Sequence, residues 1–414
     1  MNFRQINCRA IAGLASDPLY MNSFFMAFSR VFNAGCGFFF WMIAARLYTV
    51  EQVGLATALM SSLGLILLFS RLGFDSSIIR FFPSEERGRV ISTSLIITTV
   101  ACIMAGVIYI LLAKILAPSM LFLMDPRYAL AFLLIGSVNS VASITGIVFI
   151  ADRKADHYFL QNLITALRIP ALVPLVFLGV FGIFGSVGLG YLASSFFCFV
   201  MFKRSVVAIR PQVDLDFIRR SLRFSAWTYV SSILSIAPTL IISLMVLNML
   251  GEAEAAKYNI AFMVGTLVLI IPDSFGTSLF VEGSQGQGLK KSVLRAGGAC
   301  FVLLVPSVLV LFFFGDRLLG MLRAEYVEGF SLLRIIALSS IPVACYSFFI
   351  TIQNVRMRVE SIAKLNALRC VLLLGPGYFL MQRYGILGAG YAWMATYCVV
   401  VLWVGLVAWR EGWV

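Results

Sequence analysis

Long apolar runs alternate with short polar turns along the whole chain, and the run length matches a bilayer rather than a globular core. A helix of about 20 residues rises 1.5 Å per residue and so spans a hydrocarbon layer of about 30 Å. Twelve such runs predict transmembrane helices over 24–45, 53–70, 90–116, 128–150, 158–178, 183–202, 224–249, 258–280, 293–314, 331–352, 363–381 and 386–408. Pro170, Pro174, Pro238, Pro272, Pro306 and Pro342 fall inside these runs. Kinks at such positions are tolerated where neighbouring helices or water take up the freed carbonyls. The pattern therefore predicts an all-α polytopic membrane protein.

The longest polar interval, 203–223, lies near mid-chain and holds a basic cluster and Pro211. It reads as a cytoplasmic linker between an N-lobe over 22–202 and a C-lobe over 224–414, with 1–21 as a short segment before the first span. The halves also resemble each other. Phe74-Asp75-Ser76-Ser77-Ile78-Ile79 matches Phe275-Gly276-Thr277-Ser278-Leu279-Phe280, and Gly182-Ile183-Phe184-Gly185 matches Gly385-Ile386-Leu387-Gly388. The spacing between the two motifs is 108 residues in one half and 110 in the other. Six spans in each half give parallel repeats related by an axis along the membrane normal, with a central cavity between two six-helix lobes.

Composition agrees with this picture: 61% of residues are hydrophobic, 12% are charged, and the mean hydropathy is +0.96. The net charge of +13 raises the question of nucleic acid, but the basic residues sit in short clusters between apolar runs. That distribution belongs to a membrane surface, so no nucleic-acid partner is expected. Of the 32 basic residues, 21 fall in the loops on the side of the N-terminus and 8 on the other side, leaving Arg30, Arg168 and Arg369 within spans. This asymmetry places both termini in the cytoplasm. The apolar run 10–15 is too short for a signal-peptide core, so no cleavage is expected. The eight cysteines are scattered without C-x-x-C spacing, which argues against disulfides and metal.

Polar residues inside the spans mark the candidate site, because a charge at the bilayer centre costs about 2.5–3.5 kcal/mol on insertion scales. Arg30 and Asn33 share one face of the first span. They form either a cationic wall for an anionic headgroup, since guanidinium binds phosphate bidentately, or a structural partner for Asp273. Asp273 follows Pro272 deep in the eighth span; it is either a site for a coupling ion or the partner of a buried arginine. Arg71 and Asp75 stand four apart, with Arg80 beyond, and the first two are placed to neutralise one another. Arg168 and Arg369 read as arginines that snorkel to the cytoplasmic end. The chain has no G-x-x-x-x-G-K-[ST] motif and only one histidine, His157 in a charged turn. Neither an ATP-driven pump nor a metal-dependent enzyme is expected, and no cofactor is called for.

Several stretches carry a resemblance over essentially the whole chain: Ala45-Arg46-Leu47-Tyr48-Thr49-Val50-Glu51-Gln52-Val53-Gly54, the segment from Leu72-Gly73-Phe74 to Arg80, Leu332-Leu333-Arg334-Ile335-Ile336 after Glu325-Tyr326, and Tyr384-Gly385-Ile386-Leu387-Gly388-Ala389-Gly390. With them the chain resembles the polysaccharide-transport branch of the multidrug/oligosaccharidyl-lipid/polysaccharide exporter superfamily, whose members include O-antigen and exopolysaccharide repeat-unit flippases. The resemblance implies alternating access in a bacterial inner membrane and an undecaprenyl-diphosphate-linked oligosaccharide as cargo. Membrane lipids, a polysaccharide polymerase and chain-length regulator proteins are the partners it suggests. Arg30, Arg80 and Arg223 are then the cations suited to a diphosphate. The two extra C-terminal helices of lipid II flippases are not expected, which argues against the peptidoglycan precursor. Two alternatives stay open: a cation-coupled multidrug antiporter, which wants N-lobe acids where this chain offers only Asp75, and a non-transporting scaffold of an envelope assembly complex.

Overall fold

The computed structural model describes residues 18–204, 212–284, 289–356 and 358–410. Residues 1–17, expected to precede the first span, and 205–211, in the middle of the expected linker, lie outside the described residues. The first lobe consists of α1 (Pro18–Leu47), α2 (Val50–Ser70), α3 (Phe74–Phe81), α4 (Arg87–Leu111), α5 (Pro126–Ala151), α6 (Ala155–Thr165) and α7 (Val180–Arg204). The second consists of α8 (Leu215–Leu250), α9 (Glu252–Thr266), α10 (Ile270–Ser284), α11 (Leu289–Gly320), α12 (Phe330–Val355), α13 (Val359–Tyr384) and α14 (Ile386–Arg410). No strand occurs among the described residues. Taking α2 with α3 and α9 with α10, each lobe crosses the membrane six times, and the chain is a multi-pass membrane protein. α1 begins and α14 ends on one face, called here the terminal face; the opposite face is the far face.

Among the described residues, ten helices are long and apolar enough to cross a membrane unaided. The two expected crossings outside that set are the fifth and the eleventh, which carry Arg168 and Arg369. The fifth is not the continuous span expected over 158–178. α6 stops at Thr165, and only short turns at Arg168–Ala171 and Val176–Leu178 follow. Pro170 and Pro174 each remove a backbone donor, and two prolines four apart leave no full turn to continue. At this break buried Tyr48, in the turn after α1, donates its hydroxyl to the Leu172 carbonyl at 2.9 Å. The eleventh crossing, α13, is an unbroken helix, but Lys364, Asn366 and Arg369 lower its hydropathy.

The repeat has a different register from the one expected. Gly179 (φ 57°, ψ −131°) precedes α7, and Gly385 (φ 58°, ψ −139°) precedes α14 in the same left-handed conformation. Three residues on, a Cβ at Gly182 would meet the Leu175 carbonyl oxygen at 2.1 Å, and one at Gly388 would meet the Leu380 carbonyl oxygen at 2.1 Å. The equivalent pair is therefore Gly179-x-x-Gly182 with Gly385-x-x-Gly388, three residues away from the match of Gly182 with Gly385. Similar composition on both sides of Gly182 hid the shift. The other motif falls at matched breaks: α2 ends before left-handed Leu72 and Gly73, ahead of Phe74, and α9 gives way at Leu267–Leu269 and Pro272, ahead of Phe275.

α8 belongs to both lobes. Its 36 residues begin at Leu215, so 215–223, expected as linker, form its first turns. Asp214 caps this start by accepting from the amides of Asp216 (2.9 Å) and Phe217 (3.0 Å). The buried face of the first turns, Phe217, Ser221 and Ser225, packs on the N-lobe, while Asp216, Arg219, Arg220 and Arg223 stay exposed. Ser77 donates to the Ser221 carbonyl (3.2 Å), Tyr229 to the Phe69 carbonyl (2.7 Å), and Arg220 pairs with Glu85 (3.1 Å). Further along, α8 turns to α13, where Asn366 donates to Ser231 Oγ (3.2 Å).

On the far face the lobes are closed against each other. Arg46, at the end of α1, donates to the Met321 carbonyl from Nη2 (2.8 Å) and Nε (3.2 Å). Arg323 reaches back to the Arg46 carbonyl (3.4 Å), and Asn259 of α9 donates to Thr57 of α2 (3.0 Å). Gly54 makes the closest approach: a Cβ there would lie 1.9 Å from the Glu252 carbonyl oxygen.

Two outcomes follow from these contacts. Gly54→Ala should wedge α2 from the Gly251–Glu252 turn, so a cysteine pair replacing Arg46 and Arg323 should cross-link several-fold less in that background; equal yields would show that the contact gives without opening. Asp214 tests the terminal-face docking. The Phe217 amide, then the Asp216 amide and the Arg89 charge (3.5 Å), hold its carboxyl below the ordinary aspartate range, against a smaller opposing effect of burial. Its contribution is thus complete above that range and lost as pH falls through the lowered value. Asp214→Asn should keep the cap and near-normal thermal stability in detergent at neutral pH, whereas Asp214→Ala should lose about 1 kcal/mol.

Candidate functional site

α1 has two faces with different tasks. Phe25, Phe28 and Phe32 close around Phe159 of α6, with ring centroids 6.1, 5.2 and 5.4 Å away. At 100° per residue the opposite face carries Arg30, Asn33, Gly37 and Trp41. The aromatic clasp fixes which way that polar face turns. Arg30 is exposed and Asn33 half-buried. Gly37 has nothing within 4 Å of a built Cβ, so the backbone borders open space.

The matching wall of the C-lobe is α10. Asp273, Ser274, Thr277 and Ser278 are all exposed on it, although the helix is part of an apolar crossing. Thr277 turns its hydroxyl to the Asp273 carbonyl (2.9 Å), and Ser274 to that of Ile270 (2.7 Å). A run of exposed hydroxyls and a carboxylate cannot face lipid at this depth, so α10 borders a watered cleft. The Arg30 charge is near enough to be felt at the Asp273 carboxyl. Among the described residues the two charges do not meet as an ion pair. The cleft thus has a basic lip and an acidic lip.

Further in, a cavity of about 450 Å³ continues along the same stripe of α1. Gly37, Phe40 and Trp41 form one side, Leu67, Leu68 and Arg71 another, with Asn139, Ser143, Arg168 and Tyr191 behind, and Ile236 and Leu240 of α8 closing it. Arg71 and Asp75 neutralise each other at 3.1 Å, as their spacing suggests. Arg168 does not snorkel to the terminal face. Its guanidinium lies 5.3 Å from the centre of the Phe40 ring and lines the cavity.

Arg369 does not snorkel either. It is 6% exposed, packed inside the C-lobe. It donates to the Tyr397 hydroxyl (3.0 Å), to Ser235 Oγ (3.3 Å) and to the Ser235 carbonyl, and it lies over the rings of Tyr346 (5.2 Å) and Tyr397 (5.9 Å). A helix carbonyl, a phenol and two ring faces replace the carboxylate such a cation would otherwise need. Hydropathy could not distinguish these two arginines from snorkelling ones; their distance from the helix starts was the available signal.

The remaining expected cations lie elsewhere. Arg80 is exposed on α3, opposite the buried face formed by Phe74, Ser77 and Ile78. Arg223 is exposed on α8, on the side away from Ser221 and Ser225. Neither lines the inner cavity. No cluster of three potential metal ligands occurs among the described residues.

Comparison with known proteins gives the same fold. An inward-facing multidrug-resistance MATE transporter of the MOP superfamily superposes with TM-score 0.72 at 14% identity, covering 92% of this chain and 95% of that one. The lipid II flippase MurJ, in an inward closed conformation, superposes with TM-score 0.75 at 12% identity, covering 92% and 86%. An outward-facing MATE transporter gives a lower TM-score of 0.62 at 15% identity, covering 97% of both chains. At these identities the likeness establishes the fold: two six-helix lobes around a central cleft. No curated protein matches by sequence. The profile of one family, described as polysaccharide biosynthesis protein, matches residues 19–280, well over half of the chain. The chain therefore belongs to the polysaccharide biosynthesis protein family, built on the fold of the MOP-superfamily transporters.

Proposed function

We propose that this protein flips an undecaprenyl-diphosphate-linked oligosaccharide repeat unit from the cytoplasmic to the periplasmic leaflet of a bacterial inner membrane, by alternating access, for O-antigen, capsule or exopolysaccharide assembly. The observation that carries the reading is the cleft between α1 and α10, whose exposed polar faces lie within an apolar membrane body. A hydrophilic glycan needs such a path, while its lipid tail needs none. The cleft and cavity hold Arg30, Arg71 and Arg168 against Asp75 and Asp273, and Asp75 is already paired. Cations in excess suit a diphosphate and disfavour the cationic cargo of a multidrug antiporter. Membership of a polysaccharide biosynthesis family and the likeness to a lipid II flippase support the same class of cargo. Arg30 and Asn33 are the proposed headgroup contacts, with Arg80 and Arg223 near the terminal face as cations the headgroup meets on entry. Asp273 is the counter-charge or the site of ion coupling. The excess of basic loops on the terminal face makes that face cytoplasmic, so the far-face closure is periplasmic. A polymerase and a chain-length regulator are the proposed partners downstream.

A clean deletion strain without a paralogue should lose surface polysaccharide and accumulate lipid-linked repeats in the cytoplasmic leaflet; normal surface glycan would sink the export reading. Arg30 and Asp273 provide the finer test. Both are exposed in the cleft and unpaired with each other, so Arg30→Ala and Asp273→Ala should each leave protein abundance near normal. Arg30→Ala should abolish export, and Arg30→Lys, which keeps charge without the planar fork, should retain part of it. Restoration of export in the double variant would mean that Arg30 serves only to balance Asp273.

A further inference from the structure

Four contacts hold the first turns of α8 against the break between α2 and α3, one per helical turn. The Phe217 and Phe81 rings lie 6.2 Å apart between centroids, and the Ser221 carbonyl accepts from Ser77 at 3.2 Å. Ser225 lies against Gly73, and the Tyr229 hydroxyl donates to the Phe69 carbonyl at 2.7 Å. Positions 217, 221, 225 and 229 therefore face 81, 77, 73 and 69. Each step of one turn forward on α8 is matched by one turn back on its neighbour, as in an antiparallel pair packed along i, i+4 rows. The register passes through left-handed Leu72 and Gly73 without losing a step.

The side chains make this register unique. Both rows read large, small, small, large: Phe217, Ser221, Ser225, Tyr229 on α8, and Phe81, Ser77, Gly73, Phe69 opposite. Small residues meet at the two central steps, where a Cβ at Gly73 would lie 2.3 Å from Ser225 Oγ. A slide of one turn in one direction brings the Tyr229 ring onto Gly73, where even a methyl group has no room. A slide in the other direction drives Phe217 onto Ser77 and takes the Tyr229 hydroxyl away from the Phe69 carbonyl, which leaves both without that partner. Ser77, Phe217, Ser221 and Ser225 are fully buried. Beside the row the Asp214 amide donates to buried Thr93 (3.1 Å), and Arg220 pairs with Glu85 (3.1 Å). The bonds from α8 to α13 lie beyond it, at Ser231 and Ser235.

We propose that this row is a register lock: α8 from Phe217 to Tyr229 moves with the N-lobe in every access state, and a change of access bends α8 beyond Tyr229 instead of sliding it. The proposal rests on the alternating-access reading and divides the helix that joins the lobes between them. Its first turns, which precede every contact with α13 named above, are mechanically part of the N-lobe.

Cross-linking of the full-length chain in membranes, with the native cysteines replaced, tests the lock. Glu85→Cys with Arg220→Cys, bridged by a short bifunctional methanethiosulfonate, reports the row, and Arg46→Cys with Arg323→Cys reports the far face. The row pair should bridge at an unchanged rate in the Gly54→Ala background, while the far-face pair slows several-fold there; a parallel slowing of both overturns the lock. In cells, the bridged row should leave surface polysaccharide at the level of the unbridged chain, whereas the bridged far face should stop its export until the bridge is reduced. Polysaccharide that disappears when the row is bridged and returns on reduction also overturns the lock. If the first pair does not accumulate, Arg89→Cys with Asp214→Cys reports the same joint across a 3.5 Å contact. Absence of export even from the unbridged chain counts against the export reading alone, and the cross-linking rates then decide the lock by themselves.

Discussion

Hydrocarbon offers no hydrogen bonds, and the placement of almost every polar group in this protein follows from that constraint. Where the chain breaks a helix at membrane depth, a buried side chain takes up the loose backbone, as Tyr48 does for Leu172. Where it buries a cation in the C-lobe, Arg369 is enclosed by Tyr397, Tyr346 and Ser235. These structural groups are satisfied within the protein, although Arg369 Nε and the buried amide of Gln353 have no partner. The exposed Asp273 of α10 and the exposed guanidinium of Arg30 depart from this pattern.

The geometry of the cleft between them depends on α8. Its first turns are fastened to the N-lobe through Ser221, Arg220 and Tyr229, and its later turns to α13 through Ser231 and Ser235. The lobes are consequently joined along the α2–α8 side from one face to the other. Any change of access must bend α8 or slide it, and buried Pro238, three residues beyond Ser235, is where a missing backbone donor makes bending easiest. On the far face the closure joins bonds from Arg46 and Arg323 to backbone carbonyls, and from Asn259 to the Thr57 hydroxyl, with a buried apolar contact between α2 and α9.

Much of the fold was legible because span length and apolar content are set by the bilayer itself. The charge on Arg30 and the carboxylate of Asp273 were legible for the same reason: a lone charge in a 20-residue apolar run stands out. Other features depend on neighbours distant in sequence. Nothing near Arg369 predicts that Tyr397 and Ser235 will surround it. The first turns of α8 looked like linker because charged residues are as many as apolar ones there, yet Phe217, Ser221 and Ser225 form a narrow stripe that docks on the N-lobe. The glycine register slipped because motif letters were compared, whereas the equivalence lies in backbone conformation, shared by Gly179 and Gly385. The run Tyr48-Thr49-Val50-Glu51-Gln52-Val53-Gly54, which carries part of the family resemblance, is framework: a hydroxyl for Leu172, a capping box between Thr49 and Gln52, and a glycine at the lobe contact.

The acidic lip has a place in this scheme beyond balancing charge. An empty cleft with Arg30 alone would hold counter-ions tightly, and a cargo would have to displace them. Asp273 lies near enough to Arg30 for their charges to interact without forming an ion pair, so it moderates that field while leaving the guanidinium's donors free. On the export reading, a diphosphate entering between the lips would gain the fork of Arg30 and be repelled by Asp273. The attraction and the repulsion come from opposite lobes. The bound anion therefore draws toward the N-lobe and pushes on the C-lobe, and a balance of that kind changes with lobe separation. On the export reading, cargo binding is thereby coupled to the relative position of α1 and α10, with α8 as the element that must yield.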